Sequence, residues 1–278
     1  MITRVLGVIA LTFCGLRPAA AAAAATEPPP PSQPASYVFA TELGSGVYDV
    51  GGRTLLVYRL PLGYDLREAT EGAPGLRLTL PAAVGFFNYS PIDLVHTQLP
   101  AHVGAFSFVP GLKLDYKMDE HWHIEPYARA GASFASDDFD GWLYGLGVSS
   151  TYQWQAREVH ARVLNDILFA GVIYRSPMDP NDNLVRLRNG LELSRLTGLT
   201  IGQHMIELSV YGFADYFPDA PRPPVTGTRP SRLQLEPGFL IGAVPQWRIR
   251  SFELPRLGIG YRFAGDLSGW HLDISVPF

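Results

Sequence analysis

From about residue 35 to the end of the chain, apolar and polar side chains alternate in long, regular runs. The clearest runs from Gly141 to Trp154: Trp142, Tyr144, Leu146, Val148, Tyr152 and Trp154 share one face, and Gly145, Gly147, Ser149, Thr151 and Gln153 the other. A period of two is that of a strand with one face buried in an apolar medium. The last nine residues repeat it. Trp270, Leu272, Ile274, Val276 and Phe278 fall on one side, and His271, Asp273, Ser275 and Pro277 on the other. The apolar face of this segment is aromatic at both ends, as in strands that meet lipid outside and water inside.

Twelve segments of this kind can be marked. They are Tyr37 to Leu43, Thr54 to Leu66, Leu76 to Tyr89, His102 to Tyr116, His121 to Phe134 and Gly141 to Trp154. Then follow Glu158 to Tyr174, Leu184 to Leu196, Gln203 to Phe217, Arg232 to Val244, Ile249 to Phe263 and Trp270 to Phe278. Two irregularities stand out. Asn165-Asp166 interrupts the alternation, which suggests a bulge or a strand running out past the membrane, and the phase changes at Pro255. Short connections (Lys117 to Glu120, Gln155 to Arg157, Gly198 to Ile201, Pro245 to Arg248) alternate with longer or more polar ones (Ser90 to Ala101, Ala135 to Asp140, Arg175 to Asp182, Pro218 to Ser231). Outer-membrane barrels have that asymmetry.

Most segments exceed the roughly 9 to 11 residues that a tilted strand needs to cross hydrocarbon. Lipid offers no hydrogen-bond partner to an open edge, so the first and last strands must pair. The expected fold is all-β: a closed, antiparallel, 12-stranded transmembrane β-barrel.

Composition sharpens this picture. The 278 residues suffice for one large β domain, and a net charge of -4 argues against a nucleic-acid partner. Mean hydropathy is near neutral, too low for a bundle of membrane helices but natural where lipid-facing and bore-facing residues average out. Residues 1–25 read as a secretory signal: Arg4, a short apolar run from Val5 to Phe13, then small residues from Ala19 to Ala25. Cleavage is expected near Ala25, with lipoprotein processing at Cys14 as the alternative. Cys14 is the one cysteine, so a chain cut at Ala25 holds no disulfide. Residues 26–35, rich in proline, form an extended periplasmic tether, and 36–278 form the barrel.

The run Gly258-Ile259-Gly260-Tyr261-Arg262-Phe263, the closing strand ending in Phe278 and the count of twelve together resemble the solitary autotransporter-like outer-membrane barrels. The resemblance implies residence in the bacterial outer membrane, in contact with its lipid. It also implies that Trp270, Leu272, Ile274, Val276 and Phe278 form the signal read by the barrel-assembly machinery. Autotransporters carry a passenger ahead of the barrel and a helix through the pore. Here only about ten residues separate the expected cleavage site from the first strand, and none reads as a helix. Self-secretion of a passenger is therefore not expected.

Chemistry is concentrated on the faces expected to point inward. Arg59, Arg77, Lys113, Asp115, Glu125, Arg129, Arg162, Arg186, Arg188, Glu192, Glu207, Glu236, Arg256, Arg262 and Asp273 all fall there. Charges in a narrow bore must be paired or hydrated. Two readings stay open: a charge-paired interior that fills the barrel, or a water-filled path whose arginines favour anions. His121 and His123 share a strand face with Glu125 but have no evident third ligand, so they read as polar interface residues. Ser136-Asp137-Asp138-Phe139-Asp140 lacks a full cation loop and reads as a solvated connection. No metal or cofactor is expected. For a hydrolase, His96 and His102 are the reasonable candidates. A loop-based adhesion or receptor role would use Pro218 to Ser231 with its five prolines. The primary expectation is a non-enzymatic barrel, structural or a narrow passive pore.

Overall fold

The computed structural model describes residues 43–50, 53–70, 72–87, 105–135, 138–175, 182–219, 230–245, 248–249, 252–253, 256–265 and 267–274. The expected signal, tether and Phe278 terminus lie outside these residues, as do His96, His102 and the greater part of the Pro218 to Ser231 loop.

Fifteen strands are described. They are β1 (Ser45–Val50), β2 (Arg53–Arg67), β3 (Gly75–Phe87), β4 (Ala105–Phe108), β5 (Gly111–Lys117), β6 (Trp122–Ala135), β7 (Asp138–Ala156) and β8 (Val159–Tyr174). After these come β9 (Asp182–Ile201), β10 (His204–Tyr216), β11 (Pro230–Val244), β12 (Arg248–Ile249), β13 (Phe252–Glu253), β14 (Leu257–Gly265) and β15 (Leu267–Ile274). β4 and β5 both lie between β3 and β6, as two halves of one wall strand broken at Val109-Pro110. Val109 N donates to Pro81 O (3.1 Å) and Ala130 N to Pro110 O (2.9 Å), which carries the ladder across the break. β12 and β13 pair only with each other, as a small hairpin off the wall. The remaining strands make a wall of twelve, each antiparallel to its neighbours.

The wall closes where β1 meets β15, from Ser45↔Leu272 to Val50↔Leu267. No backbone edge is left along that seam, as hydrocarbon requires. Directly paired residues share a face, so the register decides which side chains point outward. Val84↔Tyr58, Leu112↔Ala128, Tyr144↔Gly171, Leu208↔Ile241 and Ile259↔Leu272 lie on the outer face. Trp142, Leu146, Phe239, Phe263 and Trp270 are exposed on that side, a belt that suits lipid and not water. Asn165↔Asn189 is a polar pair within it.

Several local expectations are corrected. No bulge occurs at Asn165-Asp166; β8 keeps one register with both neighbours over its whole length. The alternation fades there because Leu164, Leu168, Ala170 and Val172 are buried on the inner face, so both faces are apolar. The connection at Ala135 to Asp140 is not long: Ala135 already pairs with Asp138, with only residues 136–137 between them in sequence. β9 runs through Gly198 to Ile201, and its turn falls at 202–203, where Gly202 supplies a φ of +65. The connection after Val244 is not tight, because the β12–β13 hairpin is inserted in it. That insertion is what the phase change at Pro255 signals, and the wall strand restarts at Leu257. The first described wall strand is Ser45–Val50, and of the expected Tyr37 to Leu43 segment all but Leu43 lies outside the described residues. Leu43 is fully buried in the apolar cluster of the bore.

Candidate functional site

The inner face divides into an apolar cluster and a charged network. The cluster joins Leu43, Tyr48, Leu55 and Val57 to Leu168, Val172, Leu184 and Phe217. β2 and β8 stand nearly opposite each other in the wall. Side chains from the two are packed in one contiguous cluster, which therefore crosses the bore. Leu43, Tyr48, Leu168 and Val172 are wholly inaccessible to solvent.

The charged network lies along the same inner face. Arg188 on β9 donates twice to Asp215 on β10, at 2.6 and 2.7 Å, a bidentate pair between register partners. Arg186 donates to Asp166 at 2.9 Å, and Asp166 also accepts from Tyr127 at 2.9 Å. Arg262 donates to Glu236 through Nε (2.9 Å) and Nη2 (2.5 Å), and its Nη2 lies 3.9 Å from Asp215. Arg256 reaches from the start of β14 to Glu192 on β9, binding both carboxylate oxygens, with Ser209 Oγ at 3.2 Å and Glu207 at 3.5 Å. Arg162 joins the same group through Glu192 at 3.4 Å. Burial without partners would cost several kcal/mol per ion. Here each of these carboxylates has at least one guanidinium.

The other wall is sparser. Lys113 pairs with Glu125 at 2.9 Å, and Ser149 also donates to Glu125 at 3.2 Å. Arg129 lies against Gly145, its register partner on β7. Arg59 is held at its backbone, where its N–H donates to Ser45 Oγ at 2.8 Å. Arg77 meets Asp65 at 3.4 Å with both side chains more than half exposed, a pair of little energetic weight. His123 and His121 take different partners. His123 Nδ1 is 2.9 Å from Asp115, whereas the His121 ring sits 6.3 Å from that of Tyr152. Near the ends of these strands is a cavity of about 380 Å³, lined in part by His121, Gln153, His160, Arg162, Glu192 and Arg256.

Beside the Arg262–Glu236 pair, Glu236 and Asp273 both approach His271, and Asp273 also meets Tyr211. Tyr211 on β10 lies across Gly238 and Gly260. The register reads Tyr211↔Gly238↔Gly260↔His271 over β10, β11, β14 and β15. A side chain on either glycine would collide with the Tyr211 ring. Through this trough Tyr211 Oη donates to Asp273 Oδ2 and lies 3.4 Å from His271 Nε2. Asp166, Tyr211, Asp215 and His271 were not among the charged candidates read from the sequence. Phase alone could have found Asp215, which follows Glu207 and Tyr211 at even spacing. Asp166 was hidden by the apolar residues around it.

An antiparallel, closed wall of twelve strands with an apolar belt outside and paired charges inside defines an outer-membrane type of β-barrel. Its form is autotransporter-like. The chain is similar to the crystal structure of the β domain of the Bordetella autotransporter BrkA, with a TM-score of 0.50 and 11% identity over 82% of this chain and 94% of that one. At that identity the likeness is one of fold. No family model and no curated protein matches the chain.

Proposed function

We propose that this chain resides in the bacterial outer membrane as an autotransporter-like barrel, and that its role is structural and non-conducting. The carrying observation is the apolar cluster that joins β2 to β8 and β9 across the bore. A water column there would have to cross a stretch without polar lining, which opposes ion passage. The paired charges add to this reading, because guanidinium groups bound to carboxylates are not free to attract anions. Lipid is the partner of the outer belt, and the barrel-assembly machinery is the partner of the closing strand through Trp270, Leu272, Ile274, Val276 and Phe278.

The test is conductance. Full-length protein refolded in detergent and added to a planar bilayer should produce no discrete current steps. Regular steps with anion selectivity would replace this reading with that of a narrow pore. An enzymatic role is not part of the proposal. Lipid and peptide substrates, turned over by the wild type and not by His96→Ala or His102→Ala, would bring it back.

A further inference from the structure

Three ligand-bearing side chains converge beside the barrel seam: Glu236 on β11, and His271 and Asp273 on β15. His271 Nε2 lies 3.1 Å from Glu236 Oε1 and 3.5 Å from Asp273 Oδ1, and the three atoms fall within 4.8 Å of one another. Each carboxylate has its other oxygen already engaged. Glu236 Oε2 accepts from Arg262, and Asp273 Oδ2 accepts from Tyr211. That leaves Oε1 and Oδ1 both turned to one imidazole nitrogen.

Nε2 carries at most one hydrogen. Aimed at one oxygen, it leaves the other facing it without a donor among the described residues; His271 is 3% exposed and Glu236 5%, with the Asp273 side chain 13% exposed. A divalent cation would satisfy all three atoms together. Ligands at about 2.0 to 2.1 Å in a tetrahedron stand roughly 3.3 Å apart, which the two measured separations bracket. Arg262 and Tyr211 stand where outer partners hold carboxylate ligands in metal sites. Along β11 from Glu236, Gln234 is 2% exposed and accepts through Oε1 from Arg262, the guanidinium that also binds Glu236, at 3.4 Å, while its amide nitrogen has no partner among the described residues.

We propose that Glu236, His271 and Asp273 bind a divalent first-row metal ion of the Zn²⁺ class, which ties the closing strand β15 to β11 across β14. One imidazole with two carboxylates is a borderline-to-hard donor set that suits Zn²⁺ or Mn²⁺. Such a site would add a fixed crosslink between the closing strand and β11, two strands further into the wall, in a chain whose one cysteine can form no internal disulfide.

The experiment uses the full chain with Cys14→Ser, which removes the one thiol. The protein is refolded in detergent, stripped with chelator and titrated with zinc chloride by calorimetry. The expected result is saturable binding of one equivalent, with a higher thermal unfolding midpoint. His271→Ala abolishes both effects. Tyr211→Phe, which leaves the ligands in place, weakens binding about 10- to 100-fold. His123→Ala, on the other wall, changes neither. Cobalt in place of zinc should give a visible absorption band that His271→Ala removes. If His271→Ala does not fold, Asp273→Asn and Tyr211→Phe carry the comparison. No uptake by the wild type overturns the proposal and leaves His271 as an ion-pair partner only. Uptake that persists unchanged in the folded variants also overturns it, as binding elsewhere.

Discussion

Tyr211 on β10 donates its phenolic hydrogen to Asp273 on β15, with β11 and β14 between them. The contact is possible because Gly238 and Gly260 present no side chain beneath the ring. One tyrosine thus links the body of the wall to its closing strand. Tyr211→Phe keeps the ring in its trough and removes the donor from a part-buried carboxylate. The expected loss is about 1.5 to 3 kcal/mol, read as a shift in the urea midpoint of the refolded barrel.

The same geometry predicts a compensating pair. Gly260→Val places a branched side chain where the Tyr211 hydroxyl and the His271 ring now lie. Folded yield should fall sharply. Tyr211→Ala should destabilise when made alone, yet partly rescue Gly260→Val. If the double variant folds no better than Gly260→Val, the collision is not the cause. Residues in contact couple by about 0.5 to 3 kcal/mol, enough to measure.

Arg188 and Asp215 offer a sharper electrostatic test, since the Asp215 side chain is 3% exposed and the pair is bidentate. Arg188→Ala removes both hydrogen bonds to a buried carboxylate and leaves it only Arg262 at 3.9 Å, which should cost about 3 to 5 kcal/mol. Arg188→Met with Asp215→Leu removes both charges and should cost much less. Arg195 and Glu158 provide the contrast. Their side chains are 64% and 75% exposed, and Arg195→Ala should change the same midpoint by under about 1 kcal/mol.

The apolar cluster can be thinned without touching a charge. Leu168→Ala removes a wholly buried side chain and should cost about 2 to 5 kcal/mol. Combined with Leu55→Ala, from the opposite side of the bore, it should admit water and produce bilayer current where the wild type gives none. Silence from a folded double variant would mean that the charged network alone closes the bore.

The wall itself is tested on a gel. An intact barrel resists detergent at room temperature and migrates differently after boiling. Unchanged mobility, with material that dissolves without detergent, would contradict the closed wall from Ser45↔Leu272 to Val50↔Leu267.

Alternation along Gly141 to Trp154 and Leu257 to Phe263 was enough to place the strands and their outer faces. It failed at Asn165-Asp166, where the bore turns apolar and the inner face of β8 matches the outer one. It also misjudged turns, because a hairpin of two residues and a longer loop draw on the same Asp, Gly and Pro vocabulary. Ala135↔Asp138 and the β12–β13 insertion are the two cases.

The sequence by itself determined the all-β class and the outward and inward faces of most wall strands, because a period of two is written locally in each segment; Ser45–Val50, the first described strand, is not among the segments marked. Only the tertiary structure decided which charge meets which. Tyr211 and Asp273 are 62 positions apart, and Arg256 and Glu192 are 64. Their partnership depends on how far the wall curves before it closes, and curvature is a property of all the strands together.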